Sequence, residues 1–461
     1  MNKLLFAAPS SNSGKTTVTM AVLAALKKRG VSVHAFKCGP DYIDPMFHRA
    51  ALGLSCHNLD LYLTKPERLR ALFDRYSAGA DLAVVEGVMG YYDGLGGVTA
   101  EASAWHVADT LDLPAVLVIR PKGTSLTLSS VVNGLKTVPA EAPENSGDSH
   151  LKGVLLSDCS EMLYRSLRPM LEAETGLPVL GYLPHLPEAV IGSRHLGLQT
   201  ASEIEGLQDK LDLLAKTAEQ TIDLDALLAL SGSETEPPMS VGKALCPPRV
   251  KIAVARDDAF QFCYEETLDA FRDAGGEPVF FSPLEDTALP DEIGGLYLPG
   301  GYPELYANRL SENRAMRGAV RAAVEIGLPT IAECGGFLYL GKTLETPDGE
   351  TYEMAGALPG AGEKTEKLVR FGYAELVSEV DTLTAPAGTP VRIHNFHYWE
   401  STERGASFRA TKPVSGRSYE TGYGTETLYA AFPHLYFAGD PDMTERFIAA
   451  AEKYHSTKKE R

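Results

Sequence analysis

The first half of the chain alternates short apolar runs with longer amphipathic stretches, which is the pattern of an α/β fold. The apolar runs predict strands at residues 4–8, 31–36, 82–86, 115–119, 154–157 and 179–182. The amphipathic stretches predict helices at residues 15–29, 66–77, 100–111, 125–135, 161–175 and 201–215. Because several strand segments are continuously apolar, we expect a parallel sheet that is covered on both faces.

A second α/β pattern begins after a polar break. Residues 231–249 are rich in Ser, Glu and Pro, which is the composition of a linker. Beyond it, the sequence predicts strands at residues 251–255, 277–281, 295–298 and 330–332, and helices at residues 264–274 and 313–326. We therefore expect one α/β domain at residues 1–230 and a second at residues 250–461.

Composition narrows the possible partners and the compartment. The chain has 461 residues and a net charge of −18, which argues against a nucleic-acid surface because phosphate contacts need clustered Lys and Arg. Its six cysteines form no C-x-x-C pair, which is typical of a reduced compartment. The sequence shows neither an apolar run of membrane-spanning length nor a secretory leader. A cytoplasmic protein without membrane partners is expected.

The residues after the first strand form the pattern of a phosphate-binding P-loop. The segment predicted to bind ATP consists of Ser13, Gly14, Lys15, Thr16 and Thr17. Backbone N–H groups and the helix N-terminus would hold the triphosphate, Lys15 would reach its β- and γ-phosphates, and Thr16 would coordinate Mg²⁺. Pro9 stands where this motif has its first Gly. A partitioning ATPase is a distant alternative, but it needs a second lysine where this chain has Ser10.

Carboxylates follow two of the predicted strands. Asp41 lies just beyond the strand at 31–36, and Glu86 closes the strand at 82–86. Since ligands bind beyond the carboxyl ends of parallel strands, we predict that Asp41 and Glu86 join Thr16 at the metal, although helix capping would explain them too. Asp44 is assigned to the metal or to the substrate. Two lysines have open interpretations, either a phosphate or substrate contact or an ordinary solvated side chain: Lys37 and Lys122.

The second half contains the pattern of a nucleophile elbow. A β-branched strand runs into Cys334, and two glycines and an apolar helix follow it. Such a turn exposes the sulfur above a helix N-terminus, which favours the thiolate. The N–H of Gly335 is predicted to stabilise an oxyanion, together with the turn at Gly300 and Gly301. The alternative is a buried structural cysteine.

A thiolate nucleophile also needs a base. The best candidate is His434, which lies near the C-terminus in the sequence AFPHLYF. His394 and His397 are rival candidates, and each of the three could also be an ordinary core or surface histidine.

Taken together, these segments resemble the cobyrinate a,c-diamide synthases, a family of cobalamin-biosynthesis enzymes. The resemblance covers almost the whole chain. It rests on SGKTT at 13–17, FKCGPDYIDP at 36–45, NLD at 58–60, EGVMGYYDG at 86–94, RHLGL at 194–198, GGYPEL at 300–305, AECGG at 332–336, FHY at 396–398 and HLYF at 434–437.

The resemblance implies a P-loop domain similar to dethiobiotin synthetase and a class I glutamine amidotransferase domain. It implies that ATP activates the a and c carboxylates of a corrinoid as acyl phosphates, while Cys334 and His434 release ammonia from L-glutamine. Because cationic groups suit an acid substrate, Arg194 and His195 are candidate contacts of its carboxylates, although ordinary charges on a helix surface would explain them too. Hydrogenobyrinate and nickel-sirohydrochlorin remain alternative rings.

Some positions depart from related proteins. Many class I glutaminases have His-x-Glu, but here Tyr436 follows His434 at that spacing. The catalytic group is therefore a Cys–His dyad, or its third member lies elsewhere. Ser157 stands where the family often has Asn, so the adenine contact is unassigned. Ser193 replaces an expected Glu, and Asn395 replaces Glu in the segment 394–397.

Overall fold

The computed structural model describes residues 2–143, 147–189, 204–232 and 247–459. The chain divides into two compact units, Met1–Gly242 and Lys243–Arg461. Arg194 and His195, most of the expected linker and the first residues of the helix expected at 201–215 lie outside the described residues. No helix in the described ranges is long and apolar enough to cross a membrane.

The first unit is built on one parallel sheet in the order β3-β2-β4-β1-β5-β6-β7. Its strands are β1 (Asn2–Ala7), β2 (Val33–Cys38), β3 (Cys56–Leu59), β4 (Leu82–Glu86), β5 (Ala115–Ile119), β6 (Leu151–Ser157) and β7 (Val179–Leu183). Its helices are α1 (Lys15–Lys28), α2 (Ile43–Leu52), α3 (Pro66–Ser77), α4 (Ala104–Leu111), α5 (Thr127–Leu135), α6 (Glu161–Thr175), α7 (Leu207–Thr221) and α8 (Leu224–Ser231).

Strand β1 shows why the strand segments are apolar throughout. Leu4 and Phe6 belong to one buried cluster, whereas Leu5 and Ala7 belong to a second cluster. Since successive side chains point to opposite faces of a strand, the two clusters are the cores on the two sides of the sheet. The expected doubly covered parallel sheet is confirmed.

The second unit contains two sheets. Its strands are β8 (Val250–Ala255), β9 (Gly276–Phe281), β10 (Ile293–Leu298), β11 (Thr330–Glu333), β12 (Thr343–Glu345), β13 (Thr351–Glu353), β14 (Ala361–Val377), β15 (Val391–Ser401), β16 (Phe408–Thr411), β17 (Ser418–Thr421), β18 (Tyr423–Gly424) and β19 (Leu428–Ala431). Its helices are α9 (Glu265–Asp273), α10 (Ala307–Glu312), α11 (Arg314–Glu325), α12 (Gly335–Leu340) and α13 (Pro441–Lys459). Short 3₁₀ turns in the chain are Leu95–Gly97, Pro187–Ala189, Pro303–Leu305 and Phe437–Gly439.

The main sheet of the second unit has the order β18-β19-β11-β10-β8-β9 and is parallel except at β18. This arrangement confirms an α/β class for the second unit. A further sheet, in the order β13-β12-β14-β16-β17 with β15 paired to β14, is largely antiparallel. The sequence analysis did not predict that further sheet.

Three differences from the predicted elements have local causes. The long strands β14 and β15 were missed because their faces are mixed polar and half-buried, so no apolar run marks them. Strand β3 was missed because it has only four residues, and helix α2 was missed because Asp41, Asp44 and Pro45 at its start are residue types common in turns. The helix expected at 201–215 is wrong at both ends, because α7 begins after Gly206, whose φ is +65°, and continues to Thr221.

Candidate active sites

The P-loop of the first unit connects β1 to α1. Gly14 is the N-cap of α1 with φ +87°, and a Cβ there would lie 2.9 Å from the Cβ of Ser157. The Ser157 hydroxyl donates a hydrogen bond of 2.5 Å to the Ser13 carbonyl, so the end of β6 supports this turn. The Lys15 ammonium donates to the Met89 carbonyl at 2.5 Å. The loop therefore presents a helix N-terminus and a lysine at the carboxyl edge of the sheet.

A buried charge cluster adjoins this loop. Because Phe6 pairs with Glu86 in the parallel sheet, β4 ends beside the start of the loop. The Thr16 hydroxyl donates to Glu86 Oε1 at 2.6 Å, and Lys37 Nζ lies 3.2 Å from the same oxygen. Lys37 Nζ also lies 3.0 Å from Asp44 Oδ2. The structure thus places Lys37 in the cluster, whereas Lys122 is exposed after β5.

The electrostatics of the cluster follow from burial and pairing. Burial raises the pKa of Asp44 to about 7, with help from nearby Asp41 and against the attraction of Lys37. Burial acts in the same direction on Glu86, but Lys37 and His48 together hold the pKa of Glu86 well below its ordinary value. Burial and nearby Lys37 lower the pKa of Lys15 to about 8. The pKa values of Asp44 and Lys15 are therefore closer to neutral pH than those of an ordinary carboxyl group and an ordinary lysine.

The oxygen atoms near the P-loop fit a phosphate-bound magnesium ion. The Thr16 hydroxyl and the Glu86 carboxylate are adjacent hard donors. Asp41 uses Oδ1 to accept from the N–H groups of Ile43 and Asp44, so it also caps α2. No group of three or more His, Cys, Asp or Glu side chains in the described ranges is arranged to hold a metal by itself. Mg²⁺ commonly takes one or two carboxylates and completes its shell with phosphates and water.

Cys334 forms a strained elbow in the second unit. It follows β11 and precedes α12, and its backbone has φ +47° and ψ −102°, which is rare for a residue with a side chain. Its side chain remains 7% exposed, and its sulfur lies 4.0 Å from the Phe396 carbonyl oxygen. The backbone strain and the residual exposure fit the cysteine of a nucleophile elbow better than a structural core cysteine.

The predicted oxyanion glycines lie together. A Cβ on Gly335 would lie 3.0 Å from the Gly301 nitrogen. The Gly300 carbonyl accepts from the Phe262 N–H at 3.0 Å, which fixes the turn after β10. As the first residue of α12, Gly335 has an N–H that the helix itself does not use. Gly301 and Gly335 can thus direct two donors toward one region beside Cys334.

Replacing Gly336 with Ala should destabilise the fold, because the added Cβ would lie 2.1 Å from the Leu298 carbonyl oxygen. We expect a loss of about 1–3 kcal/mol or more in the free energy of unfolding, measured by chemical denaturation. Gly318→Ala is the matched control. It lies within α11 with no atom near its Cβ, so it should stabilise by about 0.5–1 kcal/mol. An unchanged denaturation midpoint for Gly336→Ala would contradict this packing.

His434 is the histidine that the structure places with Cys334. Burial by itself lowers the pKa of His434, but interactions with Cys334 and Glu333 raise it to about 9. Its backbone forms a pair of hydrogen bonds with His394, at 2.9 and 3.3 Å. Burial lowers the pKa of both rival histidines, His394 and His397, to about 3, and His397 stacks on Phe432. The rivals therefore stay neutral.

The sequence analysis missed Glu333, the residue just before Cys334. Its carboxylate is fully buried and lies 3.7 Å from His434 Nδ1, measured from Oε2. The sequence signal was an acid at the end of the elbow strand, where an apolar residue is the rule for a buried strand. Tyr436, at the usual position of the third acid, instead packs edge-on against Tyr264.

Two family descriptions match the two units. Residues 4–195 match the CobQ/CobB/MinD/ParA nucleotide binding domain, and residues 251–441 match the CobB/CobQ-like glutamine amidotransferase domain. The class is therefore a nucleotide-binding domain followed by a glutamine amidotransferase domain.

Curated relatives resemble the chain over almost its full length. The cobyrinate a,c-diamide synthase of Listeria innocua is 38% identical over 98% of this chain and 100% of its own length. Those of Dehalococcoides mccartyi and Salmonella typhimurium are 36% and 38% identical, over 98% and 97% of this chain and 99% and 98% of their own lengths. The chain belongs to the cobyrinate a,c-diamide synthase family.

Proposed function

We propose that this enzyme uses ATP and L-glutamine to convert the a and c carboxylates of cobyrinate to amides. The pairing of a P-loop unit with a strained cysteine elbow carries this proposal, because amide formation from a carboxylate needs both activation and nitrogen. The names of the curated relatives support cobyrinate as the substrate. In this proposal, residues 1–230 are the synthetase domain, 231–249 the linker and 250–461 the glutaminase domain.

In the first unit, Ser13, Gly14 and Thr17 would help to bind ATP, and Lys15 would leave the Met89 carbonyl to contact its β- and γ-phosphates. Thr16, Glu86 and Asp41 would hold Mg²⁺, which supplies positive charge to the phosphates. A carboxylate oxygen of the substrate would attack the γ-phosphorus, which gives an acyl phosphate and ADP. Ammonia would then displace inorganic phosphate and leave the amide.

The buried charge cluster suggests how the first unit holds an acid substrate. Lys37 is fixed between Glu86 and Asp44, so its positive charge is largely neutralised until a ligand changes those contacts. Asp44 is the more adaptable of the two acids, because burial raises its pKa to about 7. In its protonated form Asp44 could donate a hydrogen bond to a carboxylate. Arg194 and His195 remain proposed contacts of the substrate.

In the second unit, Cys334 would attack the side-chain amide of glutamine. The N–H groups of Gly301 and Gly335, with the turn at Gly300, would stabilise the tetrahedral oxyanion. His434, as imidazolium, would protonate the amino group of the tetrahedral intermediate, so that the C–N bond breaks, ammonia departs and a thioester remains on Cys334. Neutral His434 would then take a proton from water, which hydrolyses the thioester to glutamate.

The test is to supply purified enzyme with ATP, Mg²⁺ and glutamine, and to add one ring at a time. With cobyrinate, phosphate should be released from ATP, and mass spectrometry should show that the ring gains two amides. The matched arms use hydrogenobyrinate and nickel-sirohydrochlorin, which change the ring while keeping the carboxylate chemistry. Faster diamidation of either alternative ring would overturn the choice of cobyrinate. Phosphate release without amide formation on any ring would contradict the synthase proposal itself.

A further inference from the structure

Glu333 is the last residue of β11, directly before Cys334, and its carboxylate lies near His434, the base of the proposed glutaminase site. The strand β11 that carries it is central, with β10 on one side and β19 on the other. The hydroxyl of Tyr297, on β10, donates to Glu333 Oε2 at 3.0 Å. The N–H of Leu435, just beyond β19, donates to Oε1 at 3.0 Å. Glu333 therefore connects β11 to β10 and to the segment that follows β19.

The Tyr297 hydroxyl and the Leu435 N–H are neutral donors, so neither balances the negative charge of the Glu333 carboxylate. Among the residues that the structure describes, His434 is the cationic partner of Glu333, at 3.7 Å between Nδ1 and Oε2. Because burying an unpaired carboxylate is costly, a chain that retains a fully buried acid here needs the positive charge of His434 nearby. The separation is within ion-pair reach, and catalytic contacts of this kind commonly tighten when substrate binds.

We infer that Glu333 is the positioning residue for His434, with its carboxylate holding the Nδ1 edge of the imidazole so that Nε2 faces the Cys334 sulfur. This inference rests on the proposed glutaminase function. The acid thus comes from the strand that carries the nucleophile, rather than from two residues after the histidine. Gly300 fits the same arrangement, because a Cβ there would lie 2.6 Å from His434 Cε1.

Four titratable side chains near His434 and Glu333 are uncharged at pH 7. Burial lowers the pKa of His394 and of His397 to about 3, so both are neutral at pH 7. Burial raises the pKa values of Tyr297 and Tyr429 well above their ordinary range, so both phenols stay protonated. Interactions with Cys334 and Glu333 raise the pKa of His434. Removing the negative charge of Glu333 should therefore destabilise the imidazolium and, with it, the thiolate.

The test is Glu333→Gln, which keeps the shape of the side chain and removes its charge. We expect kcat with glutamine to fall about 10²–10⁴-fold, as when the acid of other triads is replaced, while kcat with free ammonia stays within about twofold. Alkylation of Cys334 by iodoacetamide, followed by peptide mass spectrometry, should begin at a pH about one unit higher or more. A purely structural role would not move this onset.

Tyr297→Phe is the matched control, because it removes a neutral hydrogen bond from the same carboxylate and keeps the charge. It should leave the onset of alkylation within a few tenths of a pH unit. Glu333→Asp also keeps the charge, so its onset should match that of the original protein even if kcat falls. It provides the decisive comparison if Glu333→Gln fails to fold. A shifted onset in Glu333→Asp would contradict the charge-based role.

Three further outcomes test this inference and the function on which it rests. A Glu333→Gln protein that keeps its glutamine-dependent kcat and alkylation onset, beside an inactive Cys334→Ala, refutes only the role of Glu333. Glutamine-dependent activity that persists in Cys334→Ala refutes the proposed nucleophile itself. Equal loss of glutamine- and ammonia-dependent activity in folded Glu333→Gln would also contradict the inference. A residue that only positions His434 should affect the glutamine-dependent activity alone.

Discussion

Cys334→Ala should abolish glutamine-dependent amidation and leave ammonia-dependent amidation in place. The sulfur is the only group in the proposed mechanism that forms the thioester, so the glutamine-dependent kcat should fall by at least about 10⁴-fold. Free ammonia needs no thioester, and the P-loop chemistry uses none of the elbow residues. The measurement is amide formation with glutamine or with ammonium salts above pH 8, where more ammonia is unprotonated.

The control for that experiment is Cys263→Ala, which removes a cysteine of the same unit that lies outside the elbow. It should retain both activities within about twofold, because isolated substitutions away from a reacting centre have small effects. Loss of ammonia-dependent activity in folded Cys334→Ala would contradict the proposal that the first unit activates the carboxylate and the second unit only releases ammonia.

Lys15→Ala should remove both activities, because the carboxylate must be activated before either nitrogen source can react. Lys15 is mostly buried at the start of α1 and is placed to stabilise charge on the transferred phosphoryl group. Removal of one such preorganised group lowers kcat by about 10²–10³-fold or more. Phosphate release in the presence of the corrinoid should fall in parallel, whereas glutamine hydrolysis at Cys334 should be measurable separately.

Lys28→Ala is the matched control on the same helix. Lys28 lies in the last turn of α1 and pairs with Asp212 at 2.8 Å, and both side chains are about half exposed. Such a surface pair contributes roughly 0–1 kcal/mol, so both activities should be retained. Ammonia-dependent amidation that survives Lys15→Ala at the original rate would exclude the P-loop as the site of activation.

The P-loop and the elbow could be predicted from the sequence because each depends on neighbours in the chain. In the P-loop, a strand, a glycine at positive φ and a helix N-terminus follow one another within a few residues. The elbow is similarly local, since β11, Cys334 and α12 are consecutive. The antiparallel sheet around β14 and β15 could not be predicted in this way. Its pairing joins distant segments whose faces are only partly apolar.

The role of Lys37 illustrates what local pattern leaves open. From sequence it was either a ligand contact or a solvated side chain, because a lysine after a strand is compatible with both. The parallel pairing of β2 with β4 puts Lys37 opposite Glu86, and the start of α2 brings Asp44 to the same ammonium. Only that convergence makes Lys37 a buried charge, and its pKa is raised because Glu86 and Asp44 outweigh the effect of burial.

The sequence by itself determined the two α/β units, the phosphate-binding loop, the cysteine elbow and the family, since these depend on short-range periodicity and contiguous motifs. The tertiary structure decided which histidine meets Cys334 and which acid meets that histidine. His434 and Glu333 are far apart in the chain, and adjacent strands β11 and β19 bring them together. Strand order and register determine which residues meet across a sheet. Neither can be inferred from the residues that neighbour each contacting residue in the sequence.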